Sequence, residues 1–145
     1  QNRARPVLES GVTRASDDPY VMSAIGEMRV AASVAEVMVL NAGEALDRAV
    51  AAQTAGDSTD VVTKLLEEAS IAVAEAKIAS TQSSLAVSET MFTVTGASAS
   101  LSTQNLDRHW RNARTHTIHD PVSYKYKIVG DYLLNGRPPP LGTRY

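Results

Sequence analysis

The stretch DPYVMSAIGEMRVAASVAEVMVLNAGEALDRAVAAQTAG, residues 18–56, decides the fold. Within it Val21, Ile25, Met28, Ala32, Ala35, Val39, Ala42, Leu46 and Ala49 recur at alternating steps of four and three. That spacing keeps every member on one face of an α-helix, and a strand has no use for it. Glu27, Arg29, Glu36, Glu44 and Arg48 lie off the stripe. Asp18 can accept a hydrogen bond from a free backbone N–H at the helix start, and Pro19 is tolerated at the first helical position. The pattern fades at Gln53, and Gly56 supplies a stop.

Working forward, Asp57, Ser58 and Thr59 offer caps for a second helix with the stripe Val62, Leu65, Ala69, Ala72, Ala76, Ala79, Ser83, Ala86 and Thr90. A second row, Ile71, Ile78, Leu85 and Phe92, repeats every seven residues on another face. Two apolar rows predict a helix covered on two sides, either central or at a subunit interface. Lys64, Glu67, Glu68, Glu75 and Lys77 mark its first half as the more solvated. Each helix spans about 50 Å, and a short turn makes them an antiparallel hairpin that needs further helices against it.

Gly96 ends the second helix, and residues 96–104 read as a polar connection. Ser102 or Thr103 can cap a shorter third helix with Leu106, Trp110, Ala113 and Thr117 on one face. It ends near His119, because the residue before Pro121 is pushed out of the helical region. Asp120-Pro121 repeats the earlier Asp-Pro start, with Asp120 placed as the cap of a fourth helix through Tyr124, Ile128, Tyr132 and Leu133 to an Asn135-Gly136 stop. Residues 1–17 lack periodicity and read as an extended lead-in; residues 137–145, with Pro138, Pro139 and Pro140, read as an extended tail. The expectation is one all-α domain over residues 1–145, a four-helix bundle of two long and two shorter helices.

Composition agrees. The chain has 145 residues, 43% of them hydrophobic but only 5% aromatic, so small side chains must fill much of the interior. It has no cysteine, which excludes disulfides and thiolate metal sites and points to an intracellular, cytoplasmic location. No apolar run is long enough for a bilayer and no signal-peptide pattern opens the chain, so a membrane is not an expected partner. The first residue is Gln1 and not a methionine, which cleavage, truncation or disordered upstream residues would each explain, and a fragment of a longer protein is the expectation. Residues 1–100 carry 7 basic and 13 acidic side chains, residues 101–145 carry 7 and 3. The last third also holds all three histidines, the only Trp and four of the five Tyr, which makes it the place to look for chemistry.

Arg108, Arg111 and Arg114 recur every third residue and can hold a phosphate or carboxylate. A solvated face with local salt bridges, for instance to Asp107, is the plainer reading and the one that spacing favours. The acidic balance makes a nucleic-acid partner unexpected. His116, His119 and Asp120 raise the question of a metal, but the long helices offer no inward-facing ligands to complete one, and no metal is expected. His119 sits between two helices, where an imidazole can project into a cleft and move protons near neutral pH. No Ser/His/Asp or Cys/His motif and no phosphate-cradling glycine loop is present.

The block NLDRHWRNARTHTIHDP, residues 105–121, with Lys125-Tyr126, Val129-Gly130 and Tyr132-Leu133-Leu134-Asn135-Gly136, closely resembles the C-terminal domain of flavin-dependent monooxygenases of acyl-CoA dehydrogenase fold. The branch resembled oxidises dibenzothiophene and related sulfur compounds. The resemblance implies a parent with an N-terminal helical domain, a β-rich middle domain and this bundle, assembled as a homo-oligomer, usually a tetramer. It implies reduced FMN delivered by a separate reductase, oxygen as co-substrate and a small organic substrate. The histidine of the His-Asp-Pro motif, here His119, is implied to handle protons beside the flavin, with His116 and Asp120 in the same set. Gly96, Ala97, Ser98 and Arg108 make up the implied cofactor side. The isolated chain is expected to be inactive and to hold no cofactor. True acyl-CoA dehydrogenases, which use FAD, are the alternative: their catalytic glutamate falls in register with Asp120. That residue is one carbon shorter and followed by proline, and their glycine motif is reduced to Thr95-Gly96-Ala97-Ser98. An oligomerisation module without chemistry is the third reading.

Overall fold

The computed structural model describes residues 6–141. Four α-helices carry the fold: α1, Pro19–Ala55; α2, Thr59–Thr95; α3, Asp107–His119; and α4, Val122–Asn135. No strand occurs among the described residues, and the two long and two short helices of the sequence reading are all present. No helix among these residues is long and apolar enough to cross a membrane.

Local chemistry sets the ends of α1. The Asp18 carboxylate accepts a hydrogen bond from the Tyr20 N–H at 2.8 Å, and Pro19 occupies the first turn. At the far end Gly56 takes the left-handed conformation, φ 78°, and the Asp57 N–H closes back onto the Ala52 carbonyl at 3.1 Å. Three residues later the chain runs back as α2. Gly136 ends α4 in the same way, at φ 63°.

The seam between α1 and α2 is built almost wholly of alanine. Ala42 and Ala45 meet Ala69, Ala72 and Ala76, with Met38 packed against them. Small side chains let the two backbones approach closely, so dispersion contacts accumulate along the whole hairpin. The buried face of α1 is displaced from the stripe expected by periodicity. It runs through Ala24, Ala42, Ala45, Ala49 and Ala52, while Ile25, Val39 and Leu46 stay exposed. Bulk decides this: the closest approach admits only a methyl group, and the larger residues are pushed to the rim.

The second helix is central, as its two apolar rows require. It packs against α1 on one side and against both α3 and α4 on the other. Other expectations need correction. The lead-in is not extended throughout, since Leu8–Ser10 and Ala15–Asp17 each form a 3-10 turn. Residues 1–5 of that lead-in and 142–145 of the tail lie outside the described residues. Ser58 precedes α2 without a side-chain cap bond. Neither Ser102 nor Thr103 caps α3, whose N-cap is Leu106. Nor is Asp120 the cap of α4: Pro121 holds that position with no side-chain cap bond, and the Asp120 carboxylate turns to lysines instead.

Candidate functional site

The third and fourth helices meet at a corner formed by His119, Asp120 and Pro121, and that corner is pinned to α2 by charge. Asp120 Oδ1 lies 3.1 Å from Lys125 Nζ, and Oδ2 lies 3.8 Å from Lys77 Nζ. The two lysine side chains are only 9% and 13% exposed, whereas the carboxylate is 42% exposed. Buried ammonium groups need acceptors, and Asp120 is the anion available to both. Lys77 Nζ also lies 2.8 Å from His116 Nε2 and donates to the His116 backbone carbonyl oxygen at 3.4 Å. That carbonyl belongs to the last turn of α3, where backbone acceptors have no helical partner and a cation is favoured by the helix dipole.

Sequence reasoning missed Lys77 and Lys125. It placed Lys77 on the solvated half of α2, but its side chain is largely covered. The signal was present: Lys77 lies three residues after Ala74 and four before Thr81, both buried, on the face that receives α3 and α4. Lys125 entered only through the Lys125-Tyr126 pair of the family resemblance, with no role attached to it.

Of the residues singled out, His116 and Asp120 are brought together, with Lys77 between them. His119 is exposed and has no hydrogen bond or ion pair among the described residues. Gly96, Ala97 and Ser98 are elsewhere, at the far end of α2, roughly 28 Å along the helix from Lys77. Gly96 adopts φ 75°, ψ −178°, a backbone conformation reached essentially by glycine alone. A Cβ there would meet nothing within 4 Å, so the glycine is demanded by the turn and not by a close neighbour. Arg108 is exposed on the first turn of α3. Its neighbours in the arginine row are committed locally: Arg111 Nε pairs with Asp107 at 3.0 Å, and Arg114 donates to Thr117 Oγ1 at 3.3 Å. Among the described residues no cluster of three or more His, Cys, Asp or Glu is gathered in a way that could hold a metal ion.

A groove of about 740 Å³ runs between these two regions, with walls from α1, α2 and α3. Met28, Val87, Met91 and Ala113 make it apolar, Ser80, Ser84 and Ser88 line its α2 side, and His109 and His116 border it on α3. The Ser80 hydroxyl has no hydrogen-bond partner. On the opposite side of the corner, a cavity of about 370 Å³ is bordered by Lys77, Asp120 and Lys125 and lined by Leu46 and Leu66. Pro140 and Leu141 of the tail also line it. His119 lines neither.

Residues 1–124 match the family described as "Acyl-CoA dehydrogenase, C-terminal domain". A dibenzothiophene monooxygenase of Mycolicibacterium goodii is 38% identical over 140 residues, which are 96% of this chain and 32% of that protein. Methanesulfinate monooxygenase MsuC from Pseudomonas fluorescens superposes with a TM-score of 0.82 at 36% identity, over 96% of this chain and 35% of its own. FMN-bound TdsC from Paenibacillus sp. A11-2 superposes with a TM-score of 0.75 at 34% identity, over 94% and 33%. The chain therefore spans about a third of the length of the relatives it matches.

Proposed function

This chain belongs to the acyl-CoA dehydrogenase C-terminal domain family, and we propose that it forms one wall of the flavin site in a reduced-FMN-dependent monooxygenase acting on a small, sulfur-containing organic substrate. The observation that carries this reading is the apolar groove edged by His109 and His116 of α3, the helix that leads into the His119-Asp120-Pro121 corner. Relatives named as dibenzothiophene and methanesulfinate monooxygenases, and one crystallised with FMN, support it.

The residues fit one flank of such a cofactor. Met28, Val87 and Met91 offer an apolar surface for a ring system, Ser80 has an unpartnered hydroxyl, and Arg108, exposed at the start of α3 and without an ion pair among the described residues, is a cation for a phosphate. When bound, the reduced flavin supplies the electrons with which oxygen is activated. The chain's own share is to exclude water along the groove and to hold or pass a proton at His119. An uncommitted imidazole suits that work, because its charge can change near neutral pH. Asp120 acts by holding the corner, its carboxylate engaged by Lys125. That engagement disfavours the dehydrogenase alternative, which needs the carboxylate free to take a proton from substrate. A separate flavin reductase, a homo-oligomeric assembly and a cytoplasmic location complete the proposal.

The test is His119→Ala in the full-length parent, with reductase, FMN and oxygen. Product formation should fall at least tenfold while the melting temperature is retained. A folded and fully active His119→Ala enzyme overturns the reading; loss of acyl-CoA oxidation in Asp120→Asn, with His119→Ala silent, would establish the dehydrogenase instead.

A further inference from the structure

Lys77 Nζ has His116 Nε2 at 2.8 Å, the His116 carbonyl oxygen at 3.4 Å and Asp120 Oδ2 at 3.8 Å. An ammonium carries three N–H donors and no acceptor. The carbonyl accepts from Nζ, the carboxylate at 3.8 Å is an ion-pair partner that keeps the ammonium charged, and the short contact to Nε2 takes another of the three protons. At 2.8 Å a ring N–H pointing at an ammonium N–H would clash, so Nε2 must present its lone pair. From this we infer that Lys77 is a positioning residue that fixes His116 as the neutral tautomer with its proton on Nδ1.

Three consequences follow for the corner. His116 borders the groove with its Nε2 committed to Lys77. With Nε2 accepting, the donor left on the ring is the N–H at Nδ1. The same ammonium closes the last turn of α3 through the His116 carbonyl, which fixes where the helix ends and hence where His119 stands three residues on. The groups that face His116 across this contact are Lys77 and, through it, Asp120 and Lys125. His109 borders the groove as well, about two turns earlier on α3. The division of labour between His116 as fixed donor and His119 as proton carrier rests on the monooxygenase reading; the tautomer itself does not.

The experiment uses the 145-residue chain labelled with 15N-histidine, whose three histidines give a spectrum simple enough to assign with His116→Gln. Long-range proton–nitrogen correlations in mildly alkaline buffer separate a protonated ring nitrogen from an accepting one. For His116 the protonated nitrogen should be Nδ1, and Nε2 should show the shift of an acceptor. In Lys77→Met that pattern should give way to the Nε2–H form or to a mixture, with helicity by circular dichroism unchanged. A wild-type His116 carrying its proton on Nε2, or on both nitrogens under these conditions, overturns the inference without any variant having to fold. A retained Nδ1–H pattern in a folded Lys77→Met overturns it too, since the lysine would then not be the cause. Failure of the monooxygenase reading would show separately, as an active His119→Ala parent enzyme with the His116 tautomer still in place.

Discussion

Lys125 and Asp120 stand 3.1 Å apart across the first turn of α4, with the lysine buried and the carboxylate half in solvent. The pairing explains how a helix that starts without a side-chain cap is nevertheless held at a defined angle to its neighbour. The carboxylate neutralises a cation that the fold has already withdrawn from water.

Asp120→Asn should therefore destabilise the domain by about 1–3 kcal/mol, toward the lower end because the carboxylate is partly screened by solvent. The cause is an orphaned ammonium and not a lost helix cap, and the two can be told apart. Lys125→Met in the Asp120→Asn background should restore much of the loss, since the charge needing a partner is gone. Urea denaturation of the four proteins of that cycle measures the coupling. A neutral Asp120→Asn would show that Lys125 finds another acceptor or water.

The alanine seam makes a second prediction. Ala69 is 1% exposed and sits in the alanine seam between α1 and α2. Ala69→Leu has no void to fill and must part the helices, costing about 1–3 kcal/mol. Val39→Ala, on the exposed rim of α1, should change stability by no more than about 0.5 kcal/mol. Thermal melts of the two variants check both, and the order of their effects is the reverse of what side-chain hydrophobicity alone would give.

Asp131 makes a third. The Asn135 side chain donates to its Oδ1 at 2.6 Å, and Arg137 lies 3.3 Å away, so the carboxyl is held below its ordinary value of 3.8. The folded pKa is depressed, so the attachment of the tail through Arg137 is in place above the ordinary carboxylate range. It is lost as pH falls through the lowered folded value. A carbon-detected titration of the Asp131 carboxyl should give a midpoint under 3.8, and Asn135→Ala should move it upward. No movement would assign the shift to Arg137 alone.

How far the sequence revealed this domain depends on which force acted. Helix number, order and approximate ends were legible because Asp18, Pro19, Gly56 and Gly136 act on the chain next to them. The face on which α1 packs was only half legible: Met28, Ala35, Ala42 and Ala49 belong to the expected stripe, but the choice between Leu46 and Ala45 is a matter of interhelical distance, which no local pattern encodes. At the candidate site His116 and Asp120 drew notice as residue types, and their partner did not. Lys77 lies 39 positions before His116, and an isolated lysine in an alanine-rich helix reads as solvated until the second half of the chain folds over it. Asp120 was read as a cap from Asp-Pro alone, a signal that held at Asp18 and failed here because two buried ammonium groups compete for the carboxylate more strongly than a backbone N–H does.

The last prediction concerns the outer surface of α1. Val30, Val34, Val37 and Leu40 are all exposed, in addition to Met22, Ile25, Val39, Leu46 and Val50, so the helix is apolar well beyond the alanine seam it buries against α2. A helix apolar around most of its circumference belongs inside an assembly, and large exposed patches of this kind mark interaction surfaces. Single apolar residues on a surface need no explanation, but Val30, Val34 and Val37 follow the four-three spacing of one helical face, which scattered exposure would not produce. The chain should therefore self-associate, and Val34→Glu with Val37→Lys should drive it toward monomer. Neither position contributes to the buried core, so helicity and the melting transition of the monomer should survive the double change. Sedimentation equilibrium over a range of concentrations reads the outcome directly. A monomeric wild-type chain at the highest concentration would mean that this face is covered by other parts of a longer protein and not by a second copy. An unchanged oligomer in the double variant would move the interface to another helix.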